Sequence, residues 1–273
     1  MHPLLTALAM LAYLLTTALV AVQLRGRMRN GTAIDSRLLL GTWLLALILH
    51  GVALWQAIVT PEGLDLGFFR ALSAVGWMAA ALLLVSCFGR VSISLGLVLL
   101  PFAGISAVLA GSLPEISFIA GHPNARLDLH IFISLLAYSV LTLATLQALL
   151  LAYQIRHLHN HQPGGLLRVL PPLAEMEHLL FRFILLGFIL LTIALASGFV
   201  YLEDMFAQHV VHKTILSIAA WFIYGVLLFG HWRFGWRGRL AVNWTLGAFV
   251  VLMLAYFGSK LVLELILGRG GAA

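Results

Sequence analysis

Eight long apolar runs separated by short polar segments make up most of this chain. Each run is long enough, at about 20 residues, for a helix to cross a hydrocarbon core about 30 Å thick, and none shows the two-residue alternation of a half-exposed strand. Because lipid cannot hydrogen-bond an open backbone, helices are the spanning element that these runs favour. The pattern predicts an all-α bundle of about eight transmembrane helices, a single integral membrane domain over residues 1–273, with helices near 3–23, 38–59, 67–88, 91–110, 127–154, 179–201, 211–231 and 241–266.

Composition narrows the class of protein. Hydrophobic residues make up 62% of the chain and charged residues 10%, whereas soluble domains are about half apolar and about a quarter charged, so a large water-soluble domain is excluded. Cys87 is the only cysteine, which excludes a thiol oxidoreductase and covalent haem attachment through a Cys-x-x-Cys-His motif. No catalytic nucleophile or base is recognisable, and we expect a protein that is not an enzyme.

The charges predict an orientation. Positive charges scattered between apolar runs, with a net charge of +6, are typical of membrane topology and lipid contact rather than of a nucleic-acid partner. One set of connections holds 11 of the 16 basic residues, and the opposite set holds seven of the ten acidic residues. The positive-inside rule makes the basic set cytoplasmic. The sequence therefore predicts a multi-pass protein of the bacterial inner membrane with both termini in the periplasm.

Four histidines lie within the predicted helices, where an ionisable side chain is costly and by default a functional candidate: His50, His130, His212 and His231. Neutral imidazole is a usual axial ligand of haem iron, and helix bundles hold cofactors between facing helices. These four residues are the predicted ligands of haem b. Lys213, beside His212, either extends toward the membrane surface or contacts a haem propionate.

Depth along the helices suggests how the histidines pair. His130 and His212 differ by roughly 3 Å in depth from the predicted periplasmic ends and could share one iron, whereas His50 and His231 differ by roughly 18 Å on straight helices. A helix that continues past His231 would reduce that difference. The alternative for each histidine is a hydrogen bond to a carbonyl or lipid head group, and for His50, which lies among apolar residues, a buried partner.

Glycines in the second half of the chain suggest close helix packing. Gly187 in the sixth helix and Gly247 in the eighth are predicted to permit close approach of a neighbouring helix.

Several segments together carry a family resemblance. They are 186–198, His212-Lys213-Thr214, Trp221-Phe222-Ile223-Tyr224, 235–239, 254–260 and Leu129-His130-Ile131 leading into Leu136-Ala137-Tyr138-Ser139. With His50 in the second helix, the chain resembles the cytochrome c assembly membrane proteins, which handle haem, and within them the bacterial inner-membrane branch called YpjD or HemX-like.

The resemblance implies particular roles for three histidines. His50 and His231 resemble the family's intramembrane haem-binding pair, and His130 resembles its first outer-surface histidine. The family's tryptophan-rich outer loop has no counterpart in 202–210, and no histidine follows the last helix. The resemblance thus covers haem binding rather than haem presentation, and His212 is the candidate that replaces the second outer ligand.

The leading hypothesis is a haem-binding inner-membrane protein that assists cytochrome c biogenesis or haem traffic. Its expected partners are membrane lipid and either cytochrome c maturation components or other membrane proteins. Two alternatives remain: a cytochrome b-like carrier of electrons to or from quinone, and a haem-free scaffold or regulatory subunit whose histidines form helix–helix hydrogen bonds.

Overall fold

Helices account for nearly all of the computed structural model, which describes residues 3–28, 35–60, 63–87, 93–113, 125–159, 170–201 and 211–258. The elements are α1 (Pro3–Met28), α2 (Ser36–Ile58), α3 (Phe68–Cys87), a 3₁₀ turn (Ile93–Leu95), α4 (Gly96–Ser112), α5 (Ala125–His159), α6 (Leu173–Tyr201), α7 (Val211–Phe234), α8 (Gly238–Met253) and a π-helical segment (Leu254–Gly258). Within these residues, eight helices are long and apolar enough to cross a membrane. The predicted all-α membrane fold is confirmed.

Several helices extend further than the apolar runs indicated, including α1, which continues to Met28 where we predicted an end near 23. The long helix α5 continues to His159 and α6 begins at Leu173, where we predicted an end near 154 and a start near 179. The extra turns carry polar residues such as Glu175 and Glu177, which a search for apolar runs leaves out. The predicted residues 259–266 of the last helix, the interval 202–210 and residues 267–273 lie outside the described residues.

The helices pack as two groups of four. Helices α1, α2, α3 and α4 contact one another in a ring, α5, α6, α7 and α8 form a second ring, and the contact between α3 and α5 joins the two. A long polar connection separates α5 from α6 along the sequence. In the structure these two helices nevertheless pack together, with the most extensive contact between any two helices described. We call the end at which α5 and α7 begin the His130 end, and the opposite end the His231 end.

Gly187 of α6 packs closely against Leu141 of α5. A Cβ atom at this position would overlap the side chain of Leu141, so only hydrogen fits. Gly247 behaves differently from our expectation, since a Cβ there would meet nothing within 4 Å. Close packing of a neighbouring helix therefore accounts for the glycine at position 187 but not for the glycine at position 247.

Hydroxyl side chains within the helices mostly bond to their own helix. Thr16, Thr142, Thr145 and Thr245 each donate to the backbone carbonyl four residues earlier, at 2.7 to 2.8 Å. In hydrocarbon an unpaired polar group costs several kcal/mol. These bonds let the helices carry hydroxyl groups in the membrane without a partner helix.

The connection from α2 to α3 is anchored at the His130 end. Val59–Thr60 and Gly63–Leu64 form a short antiparallel pairing, and the backbone amide of Asp65 donates to the carbonyl of Ile58 at 2.8 Å. Asp65 also forms a buried ion pair with Arg70 in the first turn of α3. The following residue, Leu66, is thereby held against the helix bundle.

The glycine contact yields a first prediction. Gly187→Ala should lower the free energy of unfolding by roughly 1–3 kcal/mol relative to Gly247→Ala, because the added methyl group must displace Leu141. Both substitutions gain the same helix propensity, so the comparison isolates the steric effect. The readout is the apparent melting temperature of each variant in detergent; equal melting temperatures would contradict the close contact.

Candidate functional site

A cavity of about 300 Å³ lies at the His130 end of the second helix group. Helices α5, α6 and α7, the π-helical segment after α8 and Leu66 and Val75 from the region of α3 contribute its walls. Most of the lining side chains are apolar, and polar atoms come from a few residues, among them His130, Lys213 and Tyr256. An apolar pocket with few convergent polar groups is the usual form of a small-molecule or cofactor site. We call it the His130 cavity.

One face of α5 supplies the longest wall. Leu127, His130, Ile131, Ser134 and Tyr138 line the cavity, and their spacing of three or four residues places them on the same side of a helix. This spacing is visible in the sequence. What the sequence does not show is which other helices this face meets.

The ring of His130 is held in one orientation by α6. Its Nδ1 atom lies 2.8 Å from the Oγ atom of Ser197, and the Ser197 hydroxyl lies 2.9 Å from the carbonyl of Ala194, to which it donates. A hydroxyl has one hydrogen to donate. When the Ser197 hydroxyl donates to Ala194 it accepts from His130, and in that tautomer Nδ1 carries the proton and Nε2 keeps its lone pair. An imidazole fixed in this way is the usual form of a metal-ligating histidine.

Helix α7 and the π-helical segment close the cavity. Lys213, Thr214 and Ser217 line it from the first turns of α7, and Tyr256 lines it from the π-helical segment. The Tyr138 hydroxyl donates to the carbonyl of Leu252 at 2.8 Å, which ties α5 to the end of α8. Short π-helical segments within α-helices occur frequently at functional sites.

The structure brings His130 together with Lys213 rather than with His212. The side chain of His212 is exposed and is absent from the residues that line the cavity. Neighbouring residues on a helix point about 100° apart, so α7 can direct only one of the two toward His130. The pairing of His130 with His212 on one iron stays a prediction.

His50 lies completely buried in the first helix group. Its Nδ1 atom is 3.2 Å from the Tyr13 hydroxyl of α1, and its Nε2 atom is 2.8 Å from the Ser73 hydroxyl of α3. A neutral imidazole has one donor and one acceptor nitrogen, and both are used. Iron binding by His50 stays a prediction, and it requires one of these bonds to break.

His231 lies near the opposite end, in the last turn of α7. Its Nδ1 atom is 2.8 Å from the carbonyl of Trp236 and must donate to it, and its ring stacks on Phe181 with 3.5 Å between centroids. Helix α7 continues to Phe234, as anticipated, and ends at Gly235, whose φ of 68° and bond to the His231 carbonyl form a left-handed cap.

The two residues of the predicted intramembrane pair are in different helix groups. The ring of His50 bonds to α1 and α3, and the ring of His231 contacts α6 and the turn before α8. Their pairing stays a prediction.

Sequence reasoning missed the partners of these histidines. Tyr13, Ser73 and Ser197 are the groups that fix the rings of His50 and His130. The available signal was a polar side chain in the middle of an apolar run, but such residues are common in membrane helices. Only the packing of the helices shows which of them meets a histidine.

Comparison with known proteins identifies the family. The family described as cytochrome C assembly protein matches residues 40–267. The chain belongs to the cytochrome c assembly protein family. The match begins in α2 and includes His50, His130, His212 and His231, so all four candidate histidines fall inside the family region.

Two relatives extend the comparison. The chain is 34% identical over 271 residues to the inner membrane protein YpjD of Escherichia coli strain K12, covering 97% of this chain and 99% of that protein. It is 36% identical over 207 residues to an uncharacterized 28.8 kDa protein of Azospirillum brasilense, covering 72% of this chain and 76% of that protein. No solved structure gives a significant match.

The contacts of His50 yield a second prediction. His50→Ala should lower the free energy of unfolding by roughly 1–3 kcal/mol, because it removes the ring that links α1 and α3 and leaves two hydroxyl groups unpaired. Tyr13→Phe removes one of the two bonds and should cost about 0.6 kcal/mol, a typical interhelical value in membranes.

The matched control is Tyr153→Phe, since Tyr153 is exposed. Thermal unfolding in detergent gives the comparison. If His50→Ala unfolds at the wild-type temperature, the hydrogen-bonded link does not contribute to the fold.

Proposed function

We propose that this protein is an inner-membrane haem-binding protein that assists cytochrome c biogenesis or haem traffic, and that it holds haem b in the His130 cavity. Membership of the cytochrome c assembly family supports the role in biogenesis. The observation that supports the haem site is His130, an imidazole whose Nε2 lone pair is left available in an apolar cavity.

The residues of the cavity fit a haem group. Ser197 holds His130 in the tautomer that an axial ligand needs, and the apolar side chains of α5 and α6 suit a flat hydrophobic macrocycle and exclude water. Lys213 provides a cation at the same cavity, suited to a haem propionate. Bound haem would supply an iron centre for transfer to a client or for one-electron chemistry.

One ligand is assigned by this proposal and a second is not. His130 supplies an axial imidazole, and His212 remains the predicted candidate for the other position. His212 is the nearest to the cavity along the chain, since it precedes Lys213. His50 and His231 would form a separate site.

The haem-free scaffold has one observation in its favour. Both ring nitrogens of His50 are occupied by helix–helix hydrogen bonds, which is what a structural histidine needs. For His130, the side-chain hydrogen bond that the structure describes is made by Nδ1, to Ser197. The two functions therefore differ in what they expect of His130.

Absorbance spectroscopy tests the haem proposal. We expect a Soret band in wild-type protein purified in detergent from haem-replete cells, and we expect His130→Ala to reduce it strongly. Ser197→Ala should shift the band or weaken haem binding by about 10- to 100-fold, because it removes the group that orients the ligand.

Parallel variants identify the second ligand and the controls. His50→Ala, His212→Ala and His231→Ala each test one predicted ligand, and His157→Ala, at the opposite end of α5, is the control. Folded wild-type protein without a Soret band would support the haem-free scaffold. A reversible redox transition at physiological potential would instead favour an electron carrier.

We also propose that both termini face the periplasm, because the His231 end carries Arg182, Arg233, Arg237 and Arg239, as the positive-inside rule requires of a cytoplasmic surface. Alkaline phosphatase fused after residue 273 should be active and a fluorescent protein fused there should not fluoresce. The reverse result would place the His130 cavity on the cytoplasmic side.

A further inference from the structure

A second cavity lies beside the His130 cavity, on the side of the first helix group. It measures about 240 Å³ and is formed by the end of α2, the first half of α3 and the first turns of α5. Among its lining residues are Trp55, Trp77, Met78 and Phe132. We call it the Trp77 groove.

Apolar side chains form almost all of the groove's lining. Asp128, in the first turn of α5, is the one carboxylate that lines it. The indole N–H of Trp77 is already used, since it donates to the carbonyl of Leu47 at 2.8 Å. The Trp77 ring also packs against Gly51, since a Cβ atom added at residue 51 would lie 3.2 Å from the ring. The floor of the groove is thus held by contacts between α2 and α3 and offers a ligand an apolar surface.

The groove opens away from the protein core. Trp55 is 69% exposed and Phe132 is 51% exposed, and both lie on helices that are long and apolar enough to span the membrane. Exposed apolar side chains on such helices face the acyl chains of lipids. A ligand in the groove would therefore come from the membrane rather than from water.

The groove and the His130 cavity adjoin and share part of their walls. Leu66, Ile131 and Leu135 line both. Ile131 directly follows His130 on α5, and Leu135 lies one turn further along, at the edge of the face that His130 occupies. The backbone on either side is anchored, by the Asp65–Arg70 ion pair before α3 and by the Ser139 hydroxyl, which lies 3.3 Å from the carbonyl of Val75. These three side chains, shared by both walls, are the ones that a ligand passing from the groove to the cavity would have to displace.

We infer that the Trp77 groove is an entry site through which a porphyrin dissolved in the bilayer reaches His130. The inference rests on the proposed haem function, and it adds a route and an entry site. The apolar groove accepts the hydrophobic macrocycle from lipid, Leu66, Ile131 and Leu135 move aside, and the Nε2 lone pair of His130 lies in the cavity behind them.

The first test fills the groove. Met78 lines the groove and not the His130 cavity, so Met78→Trp should slow entry and leave the bound state unchanged. Haem-free protein in lipid nanodiscs is mixed with phosphatidylcholine vesicles that contain haemin, and the Soret band is followed over time. We expect the rate for Met78→Trp to fall at least about tenfold, with the final spectrum of wild type.

Val85→Trp is the matched control. Val85 is seven residues after Met78 on α3, two helical turns away on the same face, and is 68% exposed outside the groove. Its loading rate should equal that of wild type. Loading of Met78→Trp at the wild-type rate would show that the porphyrin takes another route.

A second test does not depend on whether the Met78→Trp variant folds, because the groove is blocked after the protein has been purified. The Phe132→Cys variant is made in a Cys87→Ser background, and its haem-loading rate is measured with and without prior reaction with a bulky maleimide. The control is Leu149→Cys in the same background, because Leu149 lies on the same helix and is 49% exposed. Labelling should slow loading at position 132 and not at 149. Equal effects at the two positions would overturn the entry site.

The outcomes distinguish the two proposals. A wild-type protein without a Soret band at equilibrium overturns both the haem function and its entry route. A normal equilibrium band with loading that is insensitive to Met78→Trp and to the label at position 132 overturns the route alone.

Discussion

Hydrocarbon cannot hydrogen-bond a polar group, and this constraint governs both the fold and the candidate site. It makes each spanning segment a helix, because only a helix pairs its own backbone within one segment. It also favours a hydrogen-bond partner for each polar side chain inside the membrane. Thr16 and Thr245 bond to their own helices, whereas His50 and His130 bond across to other helices. The histidines thereby fix which helices lie side by side.

The same constraint gives the histidines different chemical states. His50 gives both nitrogens to neighbouring helices and has no lone pair to offer while those bonds persist. His130 gives one nitrogen to Ser197, whose own hydrogen is used at Ala194, and so keeps a lone pair at Nε2. His231 is similar in that Nδ1 donates to a carbonyl. A histidine that serves as a structural link uses both ring nitrogens in hydrogen bonds within the protein, whereas a histidine that binds iron must keep one of them free.

The four-plus-four arrangement of helices places the site at a boundary. The His130 cavity belongs mainly to α5, α6 and α7, yet Leu66 and Val75 from the first group complete its wall. The contact of α3 with α5 is the junction between the groups, and the Trp77 groove lies along it. Cavities form where two packed units meet because side chains fill such a junction less completely than the interior of either unit.

The sequence determined the membrane fold, the eight helices and the four candidate histidines, because apolar length and intramembrane charge are properties of single segments. It placed the end of the seventh helix near 231 and left open the continuation past His231 that the structure has, to Phe234. Tertiary structure decided the rest: that Lys213 and not His212 shares a cavity with His130, that Ser197 sets its tautomer, and that Tyr13 and Ser73 occupy His50. Helical spacing fixes which residues of one helix share a face, but the rotation of that face toward a partner depends on the packing of all eight helices.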